Sequence, residues 1–258
     1  MLITQTDYTE LASTYDERYK AQTLTGVGKS LQKLIDGINP GTTIEIGCGT
    51  CNWLKDINAD TNKKVGLDFS LEMLRMAKAS EQNLSVVNGD AVRLPIKDSS
   101  FDFIFCVNAI HHFLNKDSFL DECKRILKPK GVIAVYGADP HIEKDWYVYD
   151  YFNGVLKNDL KRFPSFDSLI TMLKAKGFSG TNLSLEEKVY HKRIGSDIFN
   201  DPFIQKHSNS QLANLSDKEY QNGIDKIRKK IKRDPQTKFI TSLNFYLLKT
   251  KIYKLQEN

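Results

Sequence analysis

The sequence predicts an α/β fold built on a doubly wound, largely parallel sheet. Short apolar runs typical of buried strands alternate with helical patterns over residues 42–136. The strand segments are apolar nearly throughout, as expected when helices cover both faces of a sheet. Gly47, Asp68 and Asp90 follow successive strands at a near-constant interval, which suits repeated strand–helix units.

The order of the elements follows from turn residues and apolar spacing. An amphipathic helix ends at the turn Asn39-Pro40-Gly41, and a β-branched run, Thr42–Ile46, follows it. Ser70 is placed to cap the next helix, and Pro129-Lys130-Gly131 to end a later one. Further strands are predicted at 63–67, 84–87, 101–107 and 132–136, and the two helices at 71–78 and 117–127.

Beyond Tyr136 the pattern loosens, but it still predicts a single domain. Residues 141–166 are rich in aromatics, helices are predicted at 166–176 and 216–232, and strands at 183–193 and 239–248. We expect one domain over 1–258, with a helical segment at 1–40, a ligand-binding core at 41–137, and cap or substrate insertions at 138–165 and 195–235.

Composition indicates a soluble cytoplasmic protein. The chain has 258 residues, 40% of them hydrophobic and 27% charged, which suits a globular domain. The sequence has no apolar run of membrane-spanning length and does not begin like a signal peptide, and its four cysteines fit free thiols in a reducing compartment. Part of the net charge of +5 lies in Lys226–Arg233, "KIRKKIKR", which describes a solvated helix better than a nucleic-acid surface.

The segment 44–53, "IEIGCGTCNW", predicts a loop that approaches a ligand closely. Gly47 and Gly49 permit a sharp turn between a strand and a helix. The third glycine of the dinucleotide pattern is replaced by Asn52, which argues against a pyrophosphate-containing cofactor. Asp68 suits ribose hydroxyls and Asp90 an adenine amino group; either acid alone would be explained equally well by a helix cap or a turn.

The same segment also contains Cys48-x-x-Cys51, which raises a redox interpretation. A thioredoxin-like site has tryptophan before the first cysteine, whereas Trp53 follows the second, so the structural interpretation is favoured. His111, His112 and Cys106 lack the paired spacing of zinc ligands, and no metal site is predicted.

Four motifs together resemble the S-adenosylmethionine-dependent class I methyltransferases, in the branch that acts on small molecules. They are "EIGCGT" at 45–50, "GLDFSLEML" at 66–74, "GDAVRLPIKDSSFDFIFCVNAIHHF" at 89–113 and "RILKPKGVIAVYG" at 125–137. The resemblance implies a Rossmann-like sheet of seven strands with a helical cap, in which the final, antiparallel strand is 239–248. It also implies S-adenosyl-L-methionine as the cofactor.

The resemblance further implies the cofactor contacts. The methionine part would lie along Glu45, Gly47 and Gly49, with Asn108 at its end. Asp68 would take the ribose hydroxyls, and Asp90, with Ala91 beside it, the adenine amino group. Leu67 or Phe69, together with Met73, would pack on the adenine.

The acceptor side is less defined by sequence. His112, or His111, is a candidate general base, and a structural role beneath the loop is the alternative. Tyr15 and Tyr19 precede the core in a segment that often folds over the active site in such enzymes, and Trp146 belongs to the aromatic cap. Packing in a helix core is the alternative for all three.

The predicted reaction is methyl transfer to a small-molecule acceptor by direct in-line displacement. The alternatives are a methyltransferase for RNA or protein, and a non-catalytic nucleoside-binding protein on the same fold. The oligomeric state is left open.

Overall fold

The structure is a computed structural model that describes residues 24–57, 63–206 and 209–253. The predictions for Tyr15 and Tyr19 lie outside these residues. No helix within the three segments is long and apolar enough to cross a membrane.

The strands of these segments form one sheet of seven strands, in the order β3-β2-β1-β4-β5-β7-β6. The first five strands run parallel, and β7 is antiparallel to both β5 and β6. The strands are β1 (Thr42–Ile46), β2 (Lys63–Asp68), β3 (Ser85–Asn88), β4 (Phe101–Val107), β5 (Leu127–Gly137), β6 (Phe178–Ile194) and β7 (Lys238–Ile252). The predicted fold class, with its antiparallel final strand, is confirmed.

Helices precede, connect and follow these strands. Those of the core are α1 (Thr25–Ile38), α2 (Asn52–Asp56), α3 (Leu71–Ser80), α4 (Lys116–Ile126) and α7 (Phe166–Ala175). Those of the cap are α5 (Tyr147–Tyr151), α6 (Val155–Arg162), α8 (Ser210–Ala213) and α9 (Asp217–Arg233). Short 3-10 turns lie at Ile110–His112, Gly195–Asn200 and Pro202–Ile204.

The centre of the sheet is buried on both faces, which explains its continuous apolar runs. On β4, Ile104 and Cys106 pack into the core beneath α4 and α7. Phe103 and Phe105 point to the other face and pack into the core that α1, α2 and α3 cover. All four side chains are fully buried, and each large apolar side chain removed from water contributes about 1.5–3 kcal/mol.

Side-chain caps fix where several helices begin. The Ser70 hydroxyl accepts a hydrogen bond from the Met73 amide at 3.3 Å, so the predicted cap of α3 is confirmed. In α9, Ser216 and Glu219 form a reciprocal capping box, which satisfies two N–H groups that a helix start leaves open.

Three strands extend further than their apolar patterns predict, and β7 is one of them, because it continues to Ile252. We expected β5 to begin at Val132, but it already pairs with β4 at Leu127, and a register shift between Phe101 and Phe103 accommodates the turn residues before Val132. A bulge of this kind keeps a strand in the sheet across residues that would otherwise end it. Strand β6 also runs past both predicted ends, because it pairs with β7 from Phe178 to Ile194.

A third apolar cluster joins the two predicted insertions into one cap. Trp146 and Phe152 pack there with Ile224 and Ile227 of α9. Gly223 allows this approach, because a Cβ at that position would lie 2.3 Å from the Phe152 ring. The lysines of α9 lie on its exposed face, as expected for an ordinary solvated helix.

Candidate active site

A cleft opens at the carboxyl ends of β1, β2, β3 and β4, where a doubly wound sheet places its ligand. The space within it, counted together with the part open to solvent, is about 880 Å³. Its lining includes the predicted residues Glu45, Gly47, Gly49, Asp68, Phe69, Met73, Asp90, Ala91, Asn108 and His112. The topology therefore brings together side chains from four separate strand ends.

The glycine loop is held against the neighbouring strand by its own backbone. The amides of Gly47 and Cys48 both donate to the Leu67 carbonyl, at 2.8 and 3.0 Å. Gly47 has φ +74°, and a Cβ there would lie 2.5 Å from the Cβ of Ala109. Only glycine satisfies both the left-handed backbone and the close approach of the loop that follows β4.

Asp68 is fixed by the same loop and retains acceptor capacity. One carboxylate oxygen accepts from the Gly49 amide and the other from the Ser70 amide, each at 2.8 Å. Burial raises the pKa of Asp68, and backbone hydrogen bonds from Ser70, Gly49 and Phe69 oppose the rise. Because a carboxylate has about four lone-pair sites, the group retains capacity to accept a further hydrogen bond.

Glu45 is a buried acid with an unused oxygen. Its side chain is 1% exposed, and its Oε2 has no hydrogen-bond partner. Burial raises the pKa of Glu45 well above its ordinary value, and the nearby Cys51 and Asp68 raise it further. The Leu54 amide donates to the carboxyl group and opposes the shift. A cationic ligand group in the cleft would favour the ionised form of this carboxyl group.

The unusual environment of Glu45 predicts a pH-dependent stability. Above its ordinary pKa the unfolded chain loses the Glu45 proton while the folded protein retains it, so stability falls as pH rises towards the folded pKa. The slope is at most about 1.4 kcal/mol per pH unit. We expect Glu45→Gln to remove this component and to raise the melting temperature of the ligand-free protein more at pH 8 than at pH 5.

Thermal melts from pH 5 to pH 8 test this expectation. Glu72→Gln, at an exposed position of α3, is the matched control. An identical pH dependence in the parent and Glu45→Gln would show that Glu45 does not carry the proton. A cationic ligand group that pairs with Glu45 in the parent should bind more weakly to Glu45→Gln.

Asp90 and its neighbours follow β3 and form one end of the cleft. One oxygen of Asp90 accepts from the Val92 amide at 3.1 Å, so this acid shapes a turn and leaves its other oxygen available for a ligand. Met73 is 2% exposed, whereas Phe69 is 57% exposed. The side-chain amide of Asn88 donates to the Phe69 carbonyl at 2.8 Å, which fixes the backbone of that turn.

The loop after β4 forms the opposite end. Asn108 lines the cleft with a left-handed backbone, φ 51°. A 3-10 turn follows and places the two neighbouring histidines differently: His112 lines the cleft, whereas the His111 ring lies flat on Phe163 at 4.0 Å between centroids. The two imidazoles are themselves 4.0 Å apart, so His111 supports His112 rather than joining it in the lining.

The two cysteines of the loop pack beneath it as free thiols. A Cβ at Gly66 would lie 2.6 Å from the Cys51 sulfur and 2.9 Å from the Cys48 sulfur, so β2 needs a glycine to accommodate both. A hydrogen bond between the thiols raises the pKa of Cys48 and lowers that of Cys51. This environment is compatible with the structural interpretation of the pair.

The structure places one predicted substrate residue elsewhere. Trp146 is 3% exposed and packs edge-on against Tyr149 and Phe203 within the cap, away from the cleft lining. Two aromatic residues that we did not predict, Trp53 and Phe113, do line the cleft. Trp53 directly follows the glycine loop, and that position in the sequence could have indicated its role.

The sheet order, the antiparallel β7 and a cleft above the glycine loop define the architecture of a class I methyltransferase. A family model described as a methyltransferase domain matches residues 44–135. The protein MJ1252 of Methanocaldococcus jannaschii, described as uncharacterized, is 31% identical over 234 residues, which cover 81% of this chain and 85% of that one. The chain belongs to the S-adenosylmethionine-dependent class I methyltransferases.

Two further comparisons give the extent of the likeness. A demethylmenaquinone methyltransferase of Oceanobacillus iheyensis is 31% identical over 123 residues, which cover 43% of this chain and about half (52%) of that enzyme. A SAM-dependent methyltransferase of Thermotoga maritima shares the fold with a TM-score of 0.58 and 17% identity, over 95% of this chain and 97% of that one.

Proposed function

We propose that the protein transfers a methyl group from S-adenosylmethionine to a small-molecule acceptor. The observation that carries the proposal is the lining of the cleft. It combines three buried or half-buried acids with apolar and aromatic side chains, and none of the described lining residues is a lysine or an arginine. A site for RNA would need basic side chains along its groove.

The chain's own residues fit the cofactor. Asp68 lines the cleft and retains acceptor capacity beside its backbone hydrogen bonds, which suits the ribose hydroxyls. Asp90 has a free oxygen for the adenine amino group, and Met73 and Phe69 provide apolar surface for the ring. Glu45, with its unpaired buried Oε2, would receive the ammonium of the methionine part.

The glycine loop contributes to the cofactor site because two of its residues have no side chain. Gly47 and Gly49 place backbone rather than side chains against the cleft, which would let the methionine part lie close to β1. Asn108, which directly follows β4, would also face the methionine part. When bound, S-adenosylmethionine supplies an electrophilic methyl group on its sulfonium sulfur. The protein then has to place the acceptor atom in line and exclude water.

His112 is the candidate for proton removal from the acceptor, because it is the imidazole that lines the cleft. We expect His112→Ala to lower turnover about 100-fold while S-adenosylhomocysteine binds as tightly as to the parent, since a positioned base contributes about 10²–10⁴-fold. Single-turnover assays and calorimetry measure the two effects. His191→Ala, on the edge strand β6, is the control. Unchanged turnover in His112→Ala would remove this residue from the reaction.

The small-molecule assignment is tested by following the methyl group. Protein and labelled S-adenosylmethionine are incubated with cell extract separated into low-molecular-weight, RNA and protein fractions. We expect label in the low-molecular-weight fraction. Label confined to RNA or protein would replace the proposed acceptor class, and donor binding without transfer to any fraction would indicate a nucleoside-binding protein. The demethylmenaquinone enzymes match less than half of this chain, so they do not identify the acceptor.

A further inference from the structure

A short series of stacked side chains leads from the cleft to two cations that the proposed reaction has not used. His112 lines the cleft, its ring is 4.0 Å from His111, and His111 stacks on Phe163. The Arg162 guanidinium lies over the same Phe163 ring, 5.7 Å from its centroid. Arg162, the last residue of α6, therefore lies beyond the end of the cleft that His112 lines.

Lys116 is the first residue of α4, a helix of the core, and it also lies beside the loop after β4. Its Nζ donates to the carbonyl of Phe113 at 2.7 Å, and Phe113 lines the cleft. Burial and, to a smaller extent, repulsion from Arg162 together lower the pKa of Lys116 to about 8. Both cations therefore lie close to the loop after β4, Lys116 through the Phe113 carbonyl and Arg162 through Phe163 and His111.

The negative charge at this junction does not balance the positive charge. Asp159 is the buried acid that pairs with Arg162, at 2.7 Å, and it also accepts from the Tyr149 hydroxyl at 2.9 Å. The Arg162 side chain is 11% exposed, and its Nε and Nη1 are buried without a hydrogen-bond partner. A guanidinium cannot lose its proton in a protein, so these unpaired donors carry a persistent cost.

We propose that the methyl acceptor carries an oxyanion, a carboxylate or a phosphate, which is received between Lys116 and Arg162. The inference rests on the proposed function and assigns the acceptor a chemical class. A lysine ammonium and an arginine guanidinium from two elements form the combination that recognises such groups in proteins. The oxyanion would supply the missing negative charge, and the acceptor's reacting atom would extend past the histidines towards Asn108.

The first test uses simple anions as probes. Protein saturated with S-adenosylhomocysteine is titrated with inorganic phosphate and, separately, with acetate, against chloride at equal ionic strength. Binding is followed by the NMR signal of the Lys116 side chain. We expect saturable binding of phosphate or acetate, and the tighter of the two indicates whether the acceptor is a phosphate or a carboxylate. Lys116→Gln and Arg162→Gln should each weaken binding about 10-fold or more, as calorimetry can measure.

Lys157→Gln is the matched control, since Lys157 is an exposed cation of the same helix as Arg162. The half-buried Lys116 keeps the test valid if Arg162→Gln folds poorly. Binding that is equal in the parent, the two variants and the control would overturn the proposal, as would the absence of saturable binding by either anion.

The second test keeps this inference separate from the proposed function. The low-molecular-weight extract is divided by anion exchange before the labelling reaction. Label in the retained fraction, with a KM for the acceptor about 10-fold higher in Lys116→Gln and unchanged donor affinity, supports an anionic acceptor. Label only in the unretained fraction overturns the inference and leaves the methyltransferase intact. If no fraction is labelled, the proposed function fails, and the anion titration alone decides whether the cation pair is a binding site.

Discussion

Replacing Asp68 by alanine is expected to weaken the binding of S-adenosylmethionine and S-adenosylhomocysteine about 100-fold. Each hydrogen bond from a ribose hydroxyl to a carboxylate contributes about 1.5–3 kcal/mol, and Asp68 retains acceptor capacity beside its backbone hydrogen bonds. The variant also releases the amides of Gly49 and Ser70, which would loosen the glycine loop. Calorimetric titration with both ligands measures the total effect, and Asp167→Asn, in the first turn of α7, is the control.

A double-mutant cycle separates the ribose contact from the loop. The parent and Asp68→Ala are each titrated with S-adenosylhomocysteine and with an analogue that lacks one ribose hydroxyl. We expect the parent to lose affinity for the analogue, whereas the variant should bind the two nearly equally, because the carboxylate that distinguishes them is gone. A variant that binds as tightly as the parent, or that still discriminates, would contradict the assignment.

Replacing Gly47 by alanine is expected to be the most damaging small change in the glycine loop. The new Cβ would lie 2.5 Å from the Cβ of Ala109, and the residue would keep a φ of +74° that side chains disfavour. The left-handed backbone costs about 1–2 kcal/mol and the overlap about 1–3 kcal/mol. We therefore expect a loss of about 2–5 kcal/mol in the free energy of unfolding, together with weaker cofactor binding.

Three further variants separate the cost of the left-handed backbone from the cost of the overlap with Ala109. Gly154→Ala has a similar φ of +82° with open space around it, so it should show the backbone cost alone. Gly37→Ala lies inside α1 with open space and should stabilise by up to about 1 kcal/mol. Adding Ala109→Gly to Gly47→Ala should recover the part due to overlap. Equal losses in Gly47→Ala and Gly154→Ala would show that Ala109 imposes no constraint.

The cofactor half of the site could be predicted from the sequence because its residues mark the ends of strands. Gly47, Asp68 and Asp90 follow apolar runs, and a parallel sheet brings such ends to one edge. In this half of the site, the local sequence pattern and the sheet topology therefore indicate the same residues. The extra length of β5 could not be predicted, because the pairing of Leu127 with Phe101 of β4 overrides the turn signal of Pro129-Lys130-Gly131.

The acceptor half depends on contacts between distant segments. His111 and His112 are neighbours in sequence, and only the 3-10 turn decides which of them reaches the cleft. Trp146 carries the same aromatic signal as a substrate-binding residue, yet the cap needs it for packing. Lys116 and Arg162 both adjoin the loop after β4, through Phe113 and through Phe163 with His111, and no local pattern indicates that these distant segments meet there.

A crystal structure of the protein grown with S-adenosylhomocysteine tests the central claim most directly. The predicted result is an adenosine in the cleft between Asp68 and Asp90, with both ribose hydroxyls on the Asp68 carboxylate and the amino acid portion beside Glu45 and the glycine loop. A nucleoside bound elsewhere, or an Asp68 carboxylate that makes no contact with the ribose, would contradict the account.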